Sequence, residues 1–446
     1  MRLRTLAALA LILAARVAPA ATTYYVATPA ANGSDAHPGT SGAPWATLQH
    51  AADTVGPGDT VLVRAGSYSA FEVTSSGTPS APITFAAYPG ELVSIVTDVP
   101  NRGAGINIEG GSWITIERFH IANRATVGIR TVLCAGVTLR GNVLADNGTW
   151  GILTGCCDDL LIEGNSASGS VLQHGIYVGN SGDRPVIRGN VIFGNHDNGI
   201  HMNGDLSVDC SPAVVTDGII SDAVVEGNTI FENGAGGGSG INCDGVQTSK
   251  IRNNLIYASH SSGISLYRTD GGGPSSGNRV ENNTVLVASD GRWALNIQNG
   301  SQGTTVANNI LWSDYPSRGA IDLCSTCLTG FASDHNAVES QFTLNGGNTL
   351  LTLAQWRTAT SQDAHSFAIS NLAALFVDSA NANYHLAAGV AAVDAGATIA
   401  DLTTDIDDGP RPQGPAYDIG AVEGENGLFG DGFENGSTVR WSSAPP

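Results

Sequence analysis

Lysine is almost missing from this chain of 446 residues, where Lys250 is the only one. Forty acidic side chains face twenty basic ones, for a net charge of −20. Nucleic acid is excluded as a partner, because phosphate binding needs Lys and Arg gathered on one face. The deficit is uneven. Residues 101–320 carry 19 acidic and 13 basic side chains, whereas 321–446 carry 15 and 3. The body is therefore mildly acidic, and the C-terminal third supplies most of the excess. Long apolar runs are equally scarce, which excludes a helical membrane span beyond the first 20 residues. A zinc site is not expected either, since no His-rich or paired CxxC pattern occurs and Cys324-Ser-Thr-Cys327 stands alone.

The chain opens MRLRTLAALALILAARVAPA. Two arginines, a short apolar run and Ala18-Pro19-Ala20 predict a secretory signal over 1–20 and a secreted or periplasmic protein. Seven cysteines in an exported chain predict disulfides with one thiol left over.

Two phrases then repeat. The first ends in Asn at 142, 165, 190, 228, 254, 283 and 309, mostly at intervals of 23–29 residues. The longest interval, from Asn190 to Asn228, holds an insertion over about 206–222. The second phrase, Gly-Ile, returns at Ile129, Ile152, Ile176, Ile200, Ile241 and Ile264, then more loosely at Leu295 and Ile321. A short period with β-branched triplets and Gly/Asn turns predicts an all-β solenoid, each repeat one coil. Asn stacked at one turn suits such a rod, because Asn tolerates left-handed backbone and its amide can bond its copy in the next coil.

These residues resemble the right-handed parallel β-helix proteins of the pectate-lyase-like superfamily, over nearly all of the chain after the signal. The opening YYVATPAANGSDAHPGTSGAPWATLQHAADTVGPGDTVLVRAGSY is similar to that family's entry strand, capping helix and first coil. Pro44–Val55 would be the capping helix. DIDDGPRPQGPAYDIGAVE resembles a closing segment of such bacterial proteins. The resemblance implies a right-handed parallel β-helix over 21–328 with an N-terminal cap. An irregular extension and covering segment over 329–424 and a separate tail over 425–446 would follow. It also implies a polysaccharide partner. It does not fix the activity, since the fold serves lyases, hydrolases and non-catalytic surface proteins.

Stacking the coils at about 4.8 Å turns sequence into columns. After the apolar residue of the Asn phrase stand Arg140, Glu163, Arg188, Glu226, Arg252 and Glu281. The alternating sign predicts a self-neutralising structural ladder, with Lys250 a solvated charge on its edge. The Gly-Ile strand differs. With Ile inward, the next outward residues are Tyr177, His201, Asn242, Ser265, Asn296 and Asp322. Two positions further come Gly179, Asn203, Asp244, Tyr267, Gln298 and Cys324, flanked by Asp205, Arg268, Asp270 and Arg292. Outward positions on any solenoid are polar. Here His, Tyr, Arg and Asp cluster on one strand across three coils, beside the insertion, which predicts a sugar-binding groove.

Three functions compete for that groove. A lyase cleaving uronate-containing polysaccharide needs a base, an acid and a cation for the carboxylate. His201 is the expected base by intrinsic pKa and Tyr267 the acid, or the two reversed. Arg268 or Arg292 would hold the carboxylate, or calcium on Asp205, Asp209 and Asp244 would do so. Tyr177, Asn203, Asn242, Asn296 and Gln298 are the expected substrate contacts. An inverting hydrolase would instead pair Asp205 with Asp244, about 8 Å apart by register and within the range of about 6.5–9.5 Å for such enzymes. A non-catalytic binder would use Phe193, Phe231, Tyr257 and Trp312, an outward strip that residues 330–425, with the helix-like LTLAQWRTATSQDAH, could instead cover. The lyase acting as a monomer on an acidic glycan is the expectation carried forward.

Cys134 and Cys157 share one offset from Ile129 and Ile152, so register places them one coil apart and predicts a disulfide. Cys324 with Cys327 is a candidate local bridge. Cys156 and Cys210 stay unassigned, and Cys243 reads as a core thiol.

Overall fold

The computed structural model describes residues 21–424, so the expected signal over 1–20 and the tail over 425–446 lie outside the described residues. The chain winds into a rod of about 12 coils, walled by three long parallel sheets. Sheet one has twelve strands, from Thr23–Val26 to Ala332–Asp334. Sheet two has eleven, from Phe71–Val73 to Phe342–Thr343. Sheet three has twelve, from Gly66–Tyr68 to Phe367–Ala368. Sheet two carries the Gly-Ile phrase.

One residue per coil turns sheet one into sheet three. The position before each ladder Asn adopts left-handed backbone: Gly141, Gly164, Gly189 and Gly227 have φ of 61–63°, and Asn253, Asn282 and Asn308 follow at 50–59°. Only Gly and Asn enter that region cheaply, which is why the phrase reads Gly-Asn and later Asn-Asn. Each ladder Asn then donates its Nδ2–H to Oδ1 of the next at 2.9–3.1 Å, from Asn142 through Asn309 to Asn336. The eighth rung, Asn336, was not legible in the phrase. A second series, Asn195 on Asn233 at 2.8 Å, runs five residues further along the coil. Its neighbours there are Ser170 and Ser259, which hid it.

Inside, Ile187, Ile192, Ile200 and Met202 represent one coil, all fully buried. Each such side chain contributes roughly 1.5–3 kcal/mol. Both ends of this core are closed. At the start, helix Leu48–Thr54, capped by Thr47, lays Leu48, Ala51 and Ala52 on it. It is shorter than the expected 44–55. At the other end, helix Leu353–Thr360 has a capping box between Thr352 and Gln355 and stacks the buried Trp356 on Phe342 at 4.8 Å.

That second helix corrects one expectation, since it plugs the rod rather than covering the aromatic strip. The cover comes from later residues: Leu375, Phe376, Leu386 and Ile419 pack with Tyr257 and Trp312. Phe193 and Phe231, stacked at 4.9 Å, stay half-buried outside that cover. Asp401 fastens the same segment to sheet one, receiving Lys250 at 2.7 Å, Arg252 at 3.1 Å and Arg279 at 3.0 Å. Lys250 is thus a clamp and not a free edge charge. The charge ladder forms as expected from Arg140 through Glu163 to Arg188 (2.6 Å each) and from Glu226 to Arg252 (2.9 Å). Its last member, Glu281, turns to Arg279 on its own strand instead.

Three disulfides form. Cys134–Cys157 is the expected one, with Cα atoms 4.5 Å apart, and Cys324–Cys327 is local. Cys156 joins Cys210 and ties the insertion to the rod. Cys243 is a buried free thiol.

Candidate functional site

The outward columns of sheet two form in the expected register. Tyr177 pairs with His201, His201 with Asn242, and Asn242 with Ser265. Asn203 pairs with Asp244 and Asp244 with Tyr267. Asn296 and Asp322 continue the first column. Gly179 is needed beside Tyr177, because a Cβ there would lie 2.5 Å from the Tyr177 ring.

The centre is an aromatic and imidazole cluster that includes one residue outside the columns. His174, buried in the turn before Ile176–Gly179, meets Tyr177 at 5.6 Å and His201 at 4.7 Å between ring centroids. Its proton position follows from its partners. The backbone N–H of Asn198 donates to His174 Nδ1 at 3.3 Å, so Nδ1 carries no proton. Burial, reinforced by His201, drives the His174 pKa far below its ordinary value. The neutral ring therefore carries its proton on Nε2. That Nε2–H faces His201 Nδ1 at 3.1 Å and donates to it. His201 in turn must hold its own proton on Nε2. Burial pushes its pKa down to about 4 despite the opposing charge of Asp244. His201 thus presents a neutral N–H donor, and this Nε2 is buried without a partner.

Two amides tune two phenols. Asn203 Nδ2–H donates to the Tyr177 hydroxyl at 3.2 Å and Asn242 Nδ2–H to the Tyr267 hydroxyl at 2.9 Å. Each phenol oxygen is an acceptor there, leaving its own proton for another partner. Burial raises both pKa values, Tyr267 to about 12 with Asp244 adding to the rise. Asn203 Oδ1 is buried without a partner, as is Asp322 Oδ1 one column along. Buried polar atoms are nearly always satisfied, so unpaired atoms on one outward face mark where a polar ligand would bond.

Other predicted residues land elsewhere. Asp244 is buried, and its carboxylate accepts three backbone N–H groups, from Thr269, Asp270 and Gly271, at 2.8–3.0 Å. It anchors the loop that carries Arg268, whose Nε–H donates to Gly271 O at 3.1 Å. Gly271 permits this, since a Cβ would lie 2.6 Å from Gly245 Cα. Asp205 accepts from the N–H and hydroxyl of Ser207, at 2.7 and 2.5 Å. Both carboxylates of the expected Asp205–Asp244 pair are thus engaged in local turn hydrogen bonds. Asp209 is exposed in the insertion and accepts from Ser211 N–H and the Thr216 hydroxyl. Ligand atoms of Asp205, Asp209 and Asp244 are not gathered within 4.8 Å of one another. Gln298 bonds Asn296 at 3.0 Å, and Arg292 is exposed. Val171 and Leu172 are exposed in the loop before His174, and Leu206 and Val208 in the insertion.

Sequence reasoning missed His174 because it precedes the repeated phrase and belongs to no column. The one available signal was its place two residues before Ile176, directly ahead of the Gly of that phrase.

Comparison with known proteins fits this description. Residues 24–149 match the family model described as Pel9A-like, right handed beta helix region. Residues 90–217 match that of the periplasmic copper-binding protein NosD. A stretch of 67 residues is 43% identical to pectate lyase PEL9 of Emericella nidulans, and one of 65 residues is 45% identical to the uncharacterized protein YwoF of Bacillus subtilis. Each stretch is 14% of this chain, and the chain spans only 16% and 14% of the lengths of those two relatives. Among solved structures, pectate lyase Pel9A superposes with a TM-score of 0.58 at 17% identity, over 91% of this chain and 96% of that one. A rhamnogalacturonan lyase gives 0.50 at 17% identity, over 80% and 91%. The fold is the right-handed parallel β-helix of the pectate-lyase-like proteins.

Proposed function

We propose that this pectate-lyase-like β-helix protein binds a uronate-containing polysaccharide along sheet two and cleaves it by β-elimination. The observation that carries the reading is the set of unpaired buried polar atoms, His201 Nε2 and Asn203 Oδ1, on the face that also bears Tyr177 and Tyr267. The lyases among the structural neighbours support polysaccharide as the substrate class. The exposed Val171, Leu172, Leu206 and Val208, in the loop before His174 and in the insertion, would suit the C–H faces of sugar rings.

The roles follow from the proton positions. His201 is a donor, so it serves the substrate carboxylate rather than the proton beside it. Its Nε2–H and the guanidinium of Arg268 would bind the carboxylate and take up the negative charge that grows there as the proton leaves. Tyr267, in its phenolate form, would take that proton and return it to the oxygen leaving from the neighbouring carbon. The C–O bond breaks, a C=C bond forms, and the phenolate is regenerated. Asp244 acts through the loop it anchors, as a positioning residue.

Pectate, alginate and glycosaminoglycans form the test panel, with and without calcium or chelator. Ultraviolet absorbance from an unsaturated uronate product should rise on one of them. Tyr267→Phe should lower that rate by about 10²–10⁴ while the protein stays folded. The pH profile separates the roles: with Tyr267 as base, kcat/KM should climb about tenfold per pH unit below its pKa of about 12. A plateau beginning just above about 4 would return the base role to His201. New reducing ends without absorbance would favour hydrolysis, and a silent panel would defeat the elimination reading.

A further inference from the structure

A second cluster of chemistry-bearing side chains lies far along the rod, where the last coils meet the returning segment. His335 occupies the left-handed position before the ladder residue Asn336, with φ of 56°. In the seven coils from Gly141 to Asn308 that position is always Gly or Asn. Arg118 takes the same position one coil before Gly141, at φ of 62°, and His is among the non-Gly residues enriched in this region, so the imidazole fits here without strain. His365 stands before Ser366, whose hydroxyl takes the next ladder step by accepting from Asn336 N–H. The two imidazoles thus stack one coil apart, with centroids 4.9 Å apart and planes 19° from parallel.

Asp334 lies between them. Its Oδ1 accepts the backbone N–H groups of His335 and His365, at 2.9 and 2.7 Å. Its Oδ2 is 2.7 Å from His365 Nδ1 and 4.0 Å from His335 Nε2. The Ala395 carbonyl lies 3.0 Å from His335 Nδ1 and can only accept, so it fixes that proton and leaves Nε2 a lone pair. A metal-ligating imidazole is oriented in the same way, by an acceptor on its other nitrogen. Each of the three residues offers a donor atom within 4.8 Å of the other two, the only such triad among the described residues. A cavity of about 270 Å³, lined by Asp334, His335, Gln362, Asp363 and Ala397, adjoins it and has room for water ligands.

We infer that Asp334, His335 and His365 form a binding site for a divalent first-row transition ion, of the zinc or copper(II) class. Two imidazoles and one carboxylate suit such ions and not calcium or magnesium, which take oxygen ligands. Bonds of about 2.0–2.2 Å would draw the three donors together, and His365 has the freedom to move, being 68% exposed. Water would complete the coordination. The bound ion would join three pieces of chain: the end of sheet one, the stretch after the second helix and, through Ala395, the returning segment.

The test is calorimetric titration of the chelator-treated protein with zinc chloride and copper(II) chloride. One ion should bind per chain and raise the thermal midpoint. His335→Asn suits the position, because Asn fills it in three earlier coils, so this variant should fold like the parent. It and His365→Ala should each weaken binding at least as much as the roughly 10–100-fold cost of losing an outer-shell partner. They should also abolish the shift in midpoint. Absent binding would overturn the site. So would unchanged binding in both folded variants, because the ion would then sit on another pair such as His260–Asp290.

Discussion

His174 and His201 have the same side chain and opposite tasks. His174 spends both nitrogens inside the protein, and in doing so it fixes which nitrogen of His201 faces outward. Protonating His201 would place two N–H groups against each other, so the pair resists acid as well as desolvation. His174→Phe keeps the ring and removes the constraint. The His201 pKa should then rise from about 4 toward its ordinary value of 6.5, followed by NMR of the ring protons during pH titration. No movement would mean that burial alone sets the value. At this scale the sequence was partly legible. Columns located His201, Tyr267 and Asn203 because register follows from period. The occupation of Asp244 by three turn N–H groups was not legible, since backbone donors leave no mark in residue identity. The partner of Cys156 was hidden for a related reason, as Cys210 sits in an insertion that has no register.

Among elements, the turn with its Asn rung ties each coil to the next alongside the sheet pairing. Asn228 Oδ1 accepts from both the backbone and the side chain of Asn190, and its Nδ2 serves Ile187 O and Asn254 Oδ1. Asn228→Ala would strand buried partners on both sides and should cost about 2–3 kcal/mol in denaturant unfolding. A cost below about 0.5 kcal/mol would mean that sheet pairing alone sets the register. The loop over 268–271 depends on one carboxylate in the same way. Asp244→Asn should lower activity through a higher KM and leave the loop faster in hydrogen exchange. Lost kcat with an unchanged loop would restore the residue to chemistry. The repeating elements were readable because each coil restates the same rule. The two plugging helices and the covering segment occur once each, so their packing partners could not be found by comparing one coil with the next.

The whole molecule is a rod with a strap. The strap is held where the acidic third meets the few cations of sheet one. Asp401 gathers three of them, and the hydrogen bond from Lys250, foremost among these contacts, holds its carboxyl well below the usual range. A depressed carboxyl adds stability above its unfolded pKa near 3.8 and loses it only as pH falls below that value. Asp401→Ala should therefore speed proteolysis of the strap at neutral pH, with little difference from the parent in strong acid. Equal cleavage at neutral pH would shift the fastening to the apolar contacts of Leu375, Phe376 and Ile419 and to hydrogen bonds such as Asn253 to Thr404 O and Asn308 to Ala397 O.

The Asn ladder also has a direction. Every rung from Asn142 to Asn309 donates one Nδ2–H to the next rung and the other to a carbonyl of the preceding coil, while its Oδ1 accepts from the preceding coil, so the C=O groups of the side-chain amides share one direction and polarise one another. The rod is electrically polar along this line, with its positive end at the last rung. There the Asn336 Nδ2–H meets the buried carboxylate of Asp363 at 3.2 Å. A row of neutral side chains thus ends on a negative charge, placed where the accumulated dipole calls for one.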